Sequence, residues 1–193
     1  MRGIKPMKAI LVTLALALAA PAAAQDGISY FGGAGVVLPV GATASEAGGV
    51  GLAIDLGLNY NIYPNLHVGG HIGYSSAFGN DIVLNGVSRE GTFDVIGIAA
   101  GATYDIPMAN LGKAFVSLDV GFYFTTLTWR PTDGRTPGEY KEQHLGAAAN
   151  VGVLFDVWEA LSVGPVVNVT FPAFAQFGDW MMLNGTVRFA WGF

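Results

Sequence analysis

Every even-numbered residue from position 50 to 62 is large and apolar: Val50, Leu52, Ile54, Leu56, Leu58, Tyr60 and Ile62. The odd positions between them hold Gly51, Ala53, Asp55, Gly57, Asn59 and Asn61. A period of two places the two sets on opposite faces of a β-strand, one greasy and one small or polar. The same segregation recurs as far as Phe193 and predicts eight strands, over 27–38, 49–62, 66–76, 93–106, 113–128, 143–157, 161–171 and 181–193. Three connections are tight, at Tyr63-Pro64-Asn65, 107–112 and Trp158-Glu159-Ala160, and they alternate with longer ones at 39–48, 77–92, 129–142 and 172–180. Short turns at one rim and long loops at the other are how an up-and-down barrel is strung through an outer membrane.

One segment competes with this reading. Residues 160–178 carry no charge and pass for a transmembrane helix on hydropathy alone. Pro165 and Pro172, together with the alternation of Leu161, Val163, Val167, Val169 and Phe171 against Ser162, Gly164, Asn168 and Thr170, favour a strand. Pro165 removes a ladder donor, so a bulge or a missing bond is expected there. Asn85-Gly86 is a two-residue turn signal, which extends the second long connection as a hairpin above the membrane.

The N-terminus reads differently. Arg2, Lys5 and Lys8 precede an apolar run from Ala9 to Ala20, followed by Pro21-Ala22-Ala23-Ala24-Gln25. This is the pattern of a secretory signal peptide, with residues 1–24 removed and the cut between Ala24 and Gln25. Its removal takes three of the nine basic residues and none of the fourteen acidic ones, which leaves the mature chain at −8. A nucleic-acid partner is thereby excluded, since phosphate neutralisation needs a basic surface. The absence of cysteine excludes disulfides and thiolate metal sites, so stability rests on backbone pairing and packing.

Polarity and volume decide which face meets lipid. Leu118, Val120, Phe122 and Phe124, with Ala147, Ala149, Val151, Val153 and Phe155, form an uncharged outward set. Ser117, Asp119, Gly121 and Tyr123, with Gly146, Ala148, Asn150, Gly152, Leu154 and Asp156, form the inward set. The bore of eight strands barely admits side chains, so small and polar residues belong inside. Aromatics gather at the strand ends, with Tyr60, Tyr63, Tyr104, Phe155, Trp158, Trp191 and Phe193 at the short-turn rim. Tyr74, Phe122, Phe124, Trp129, Phe171, Phe174, Phe177 and Trp180 lie toward the long-loop rim, as two interfacial girdles would. The expected fold is all-β, an eight-stranded antiparallel up-and-down transmembrane β-barrel over residues 25–193.

The terminal alternation Gly185, Val187, Phe189, Trp191, Phe193 resembles the signal by which outer-membrane barrels of Gram-negative bacteria are recognised by their assembly machinery. With Gly-Leu-Asn-Tyr-Asn-Ile-Tyr-Pro-Asn-Leu at 57–66, the chain is similar to the small outer-membrane β-barrel family that includes the OmpA transmembrane domain, OmpW, OmpX and opacity-type surface proteins. The resemblance implies a bacterial outer-membrane location, contact with outer-membrane lipids and lipopolysaccharide, and delivery by periplasmic chaperones and the barrel-assembly machinery. It covers the barrel alone, so tethering to peptidoglycan is not part of what it implies.

Candidate chemistry is sparse. His67 and His71 are four residues apart on one strand, about 13 Å, too far to share an ion at His–metal distances. No metal site and no cofactor are expected. Some barrels of this kind act enzymatically on lipid A, but no His-x-Ser pair is present and the upper-rim His144 is predicted to point inward, so no enzyme is expected. Asp55, His71, Asp119 and Arg188 fall at mid-height on inward faces and form a candidate polar network of the lumen, with Arg188 reaching across to one or both acids. The inward Phe31, Phe115, Tyr123, Leu154 and Trp158 predict a plugged bore. The expected function is that of a structural, monomeric outer-membrane barrel contributing to envelope integrity and surface interaction; the alternative is a narrow channel for small or hydrophobic solutes.

Overall fold

The computed structural model describes residues 27–40, 49–84, 87–131, 136, 138–173 and 181–192. Eight strands follow in chain order: β1 (Ile28–Val40), β2 (Gly51–Tyr63), β3 (Leu66–Leu84), β4 (Val87–Pro107), β5 (Gly112–Pro131), β6 (Gly138–Trp158), β7 (Leu161–Ala173) and β8 (Met181–Trp191). Each pairs antiparallel with its neighbours, and β8 pairs with β1 to close the barrel. In hydrocarbon an open edge would leave its N–H and C=O groups without partners, so closure is what permits the sheet to span. A walk round the paired residues runs Ser29, Asn59, Gly69, Gly101, Asp119, Ala148, Thr170, Met182 and back to β1 at Pro39, ten residues beyond its start. That stagger corresponds to strands tilted by about 35–45° from the barrel axis.

The two faces follow the alternation of the sequence. Leu52, Leu58, Ile72, Ile98, Val120, Val151 and Val187 are exposed outward, and Leu118 is 68% exposed. Among the described side chains, the charges on the outer face, Asp94, Arg130, Glu139 and Lys141, all stand toward the long-loop end. Tyr74 donates to Asp94 there at 2.9 Å, and the pair marks the upper limit of the apolar band.

Three features depart from the sequence reading. The strands β3 to β6 run 19–21 residues, so much of 77–92 and 129–142 is ladder rather than loop. Leu84 pairs with Val87 at the top of one hairpin, and Trp129 with Gly138 near the top of the other; Asn85 and Gly86 lie outside the described residues. Trp129 belongs to the inner face, where it packs against the upper apolar cluster instead of joining the girdle. Trp158 is 77% exposed rather than inward, because the register shifts between Asp156 and Trp158 and reverses its side. At Pro165 the expected interruption takes the form of missing pairing and not of a bulge: the β6–β7 ladder lapses opposite Val153 and Leu154 and resumes in the same register. Phe174, Phe177, Trp180 and Phe193 lie outside the described residues.

If the outer face is solvated by lipid, a charge at its middle is expensive. Leu118→Arg is expected to lower the unfolding free energy by about 2–4 kcal/mol in urea titrations of vesicle-inserted protein. A change within about 0.5 kcal/mol would place Leu118 in water instead.

Candidate functional site

The site is the lumen, and its contents are layered along the axis. At the long-loop end Val37, Ala53, Ala77, Phe93, Val95, Tyr123, Leu127 and Met182 form one buried apolar cluster. Toward the short-turn end Phe31, Phe115, Leu154, Val166 and Ala190 form another. Large inward side chains fit because glycines face them. A Cβ at Gly152 would stand 2.7 Å from the Phe115 ring, and one at Gly97 2.8 Å from the Tyr123 ring.

Between the clusters lies a polar belt. Arg188 on β8 pairs with Gly33 on β1, which pairs with Asp55 on β2. The guanidinium passes over the glycine, and its Nη2 donates to Asp55 Oδ2 at 2.8 Å. A Cβ on Gly33 would collide with that carboxylate. The pair therefore lies along the wall, across one intervening strand, and not across the bore. The same guanidinium carbon sits 4.2 Å from the Phe31 ring centroid and 5.3 Å from that of Phe115, within cation–π range of both.

Asp119 is held separately. Asn150 Nδ2 donates to its Oδ2 at 2.7 Å and Ser117 Oγ at 3.3 Å. From Asn150 a chain of amides continues round the barrel: Asn168 Nδ2 donates to Asn150 Oδ1 at 2.7 Å, and Asn184 Nδ2 to Asn168 Oδ1 at 2.9 Å. Ser75, on β3, reaches Asn184 Oδ1 at 3.4 Å. Asn150, Asn168 and Asn184 are direct register partners on β6, β7 and β8. Sequence reasoning placed Asn150 and Asn168 on the inner face but missed the row; the inward asparagine common to three consecutive strands was the available signal.

His71 lines a cavity of ≈ 50 Å³ together with Asp55, Tyr123, Asn150, Asn184 and Arg188. Asp55 Oδ1, Arg188 Nε and Tyr123 OH are buried beside it without a protein partner. A polar cavity of this size has room for water that could complete such groups. A smaller cavity of ≈ 20 Å³ lies below, lined by Phe31, Asp105, Lys113 and Phe115, with Arg188 lining both.

A last cluster sits at the short-turn rim. His67 Nε2 meets Asp105 Oδ2 at 2.8 Å, Lys113 Nζ donates to the same oxygen at 2.5 Å, and His67 Nδ1 faces Asn61 Oδ1. Ser162 donates to Asp156 at 2.6 Å. Among the described residues no group of three or more His, Asp or Glu is placed to hold a metal ion. Val187, Phe189 and Trp191 point outward on β8, the last two with rings stacked 6.3 Å apart. Phe193, Ala24 and Gln25 lie outside the described residues.

The family model described as outer membrane protein beta-barrel domain matches residues 10–179. No curated protein matches the chain. Among solved structures, Neisserial surface protein A shares the fold at 12% identity and a TM-score of 0.67, with 87% of this chain and 98% of that chain covered. Ail, the attachment invasion locus protein of Yersinia pestis, solved in complex with the heparin analogue sucrose octasulfate, aligns at 13% identity and a TM-score of 0.54, covering 86% and 99%.

Because Arg188 is buried and paired, removing one partner strands the other. Asp55→Ala is expected to lower the unfolding free energy by about 3–5 kcal/mol in vesicles, and the double substitution Asp55→Ala with Arg188→Met to recover most of that loss. Losses that simply add would show that the two groups do not interact.

Proposed function

Because the chain belongs to the outer-membrane protein β-barrel domain family, we propose that it works as a closed, non-conducting structural barrel of the bacterial outer membrane, contributing to envelope integrity and to contacts at the cell surface. The packed lumen supports this reading. Two apolar clusters lie above and below the polar belt, and the described cavities of ≈ 50 and ≈ 20 Å³ have room for a few waters but not for a travelling solute. Its working partners are outer-membrane lipids and lipopolysaccharide outside, and periplasmic chaperones and the barrel-assembly machinery on the way in. The barrel acts as a monomer. Residues 1–24 direct export and are removed.

A sulfated polyanion of the kind bound by Ail does not suit this surface. Leaving out the inward Glu142, the four long connections carry Glu46, Asp81, Glu90, Asp133, Glu139 and Asp179 against Arg89, Arg130, Arg135 and Lys141. An acidic excess repels sulfate groups and favours cation-bridged contact with lipopolysaccharide.

Planar-bilayer recording on the purified protein is expected to give a flat baseline, whereas steady stepwise currents would favour the narrow-channel alternative. N-terminal sequencing of the outer-membrane fraction is expected to begin at Gln25, and an intact Met1 would overturn the cleaved leader.

A further inference from the structure

Seven of the eight pairings join strands that follow one another in the chain, each tethered by its own connection. The eighth, β1 with β8, is the seam, where no connection between the two strands sets the register. Alternation forbids an odd slip there, because it would turn Val187 and Phe189 into the bore. A slip of two residues keeps every face, so the hydrophobic pattern cannot exclude it.

The polar belt can. In the observed register Arg188, Gly33 and Asp55 lie in one row across β8, β1 and β2. The guanidinium crosses the one position without a side chain and meets the carboxylate at 2.8 Å. A slip of two in one direction sets Arg188 beside Phe31, whose ring blocks the row. In the other direction it sets Arg188 beside Gly35, whose row leads to Ala53, and carries the guanidinium about 6–7 Å along the strand from Asp55. Arg188 also lies over Phe31 of β1 and Phe115 of β5, contacts that need the seam closed in this register.

We propose that Arg188, Gly33 and Asp55 form a seam lock, which selects the register in which the last strand closes onto the first during barrel assembly. The buried charge finds its partner in one register and stays unpaired in the neighbouring ones. The hairpin pairings need no such device.

The chain has no cysteine, so introduced thiols report register directly. Val36→Cys with Gly185→Cys reads the observed register, and Leu38→Cys with Gly185→Cys reads the two-residue slip; all three positions face outward. After refolding into phosphatidylcholine vesicles and mild oxidation, the native pair is expected to cross-link and the slipped pair to stay at background. Asp55→Asn is expected to raise the slipped product about tenfold. Asp55→Asn combined with Arg188→Met, which leaves no unpaired charge, is expected to do the same in a barrel that inserts readily. Asp105→Asn, which breaks an ion pair inside the β4–β5 hairpin, is the control and is expected to leave the seam unchanged. Closed barrels, identified by heat-modifiable migration, that show no rise in slipped product with the double substitution would overturn the proposal. An equal rise with Asp105→Asn would do so too.

Discussion

A backbone placed in hydrocarbon has no water to fall back on, so each N–H and C=O must find a partner in the sheet. Everything else in this barrel follows from that requirement. Eight strands with a ten-residue stagger close into a bore too narrow to be a pore by default and too wide to be left empty. The interior must therefore be filled from the sequence's small and polar face, which holds few large side chains. Phe31, Phe115 and Tyr123 supply the bulk, and glycines such as Gly97 and Gly152 leave the space they need.

A filled bore changes what charge can do. At the short-turn rim the buried Asp105 has both His67 and Lys113 beside it, so no single contact is critical. At mid-height Arg188 has one carboxylate, two aromatic faces and little else. There the loss of either partner leaves a charge with only the small polar cavity beside it for solvation, and so remains costly. The amide row of Asn150, Asn168 and Asn184 meets the same constraint with neutral groups, passing hydrogen bonds from strand to strand.

What could be read from the sequence was whatever depends on neighbours in the chain. Alternation is local, so the strands, the lipid-facing set around Leu118 and Val120, and the closed all-β architecture were legible in it. What depends on register around the barrel was not. The lateral route from Arg188 over Gly33 to Asp55 requires two pairings to be known at once, and the asparagine row requires two more. Trp158 was misplaced because a one-residue shift reverses sides and leaves no mark in the alternation. The upward reach of β3 to β6 was hidden because polar residues above a membrane look alike in a loop and in a solvated ladder.

That upward reach bears on how the barrel closes. The strands β3 through β6 are contiguous and are described over 19–21 residues, while β7, β8, β1 and β2 around the seam are described over 11–13. The described seam ladder pairs 11 residues, against 10 each in the β1–β2 and β7–β8 ladders beside it, but it alone has no connection between its two strands. A ladder without a connection of its own discriminates poorly between registers two residues apart, since its backbone bonds are nearly the same in each. Side chains must then supply the difference, and a charge that is buried only when correctly paired supplies more of it than any apolar contact.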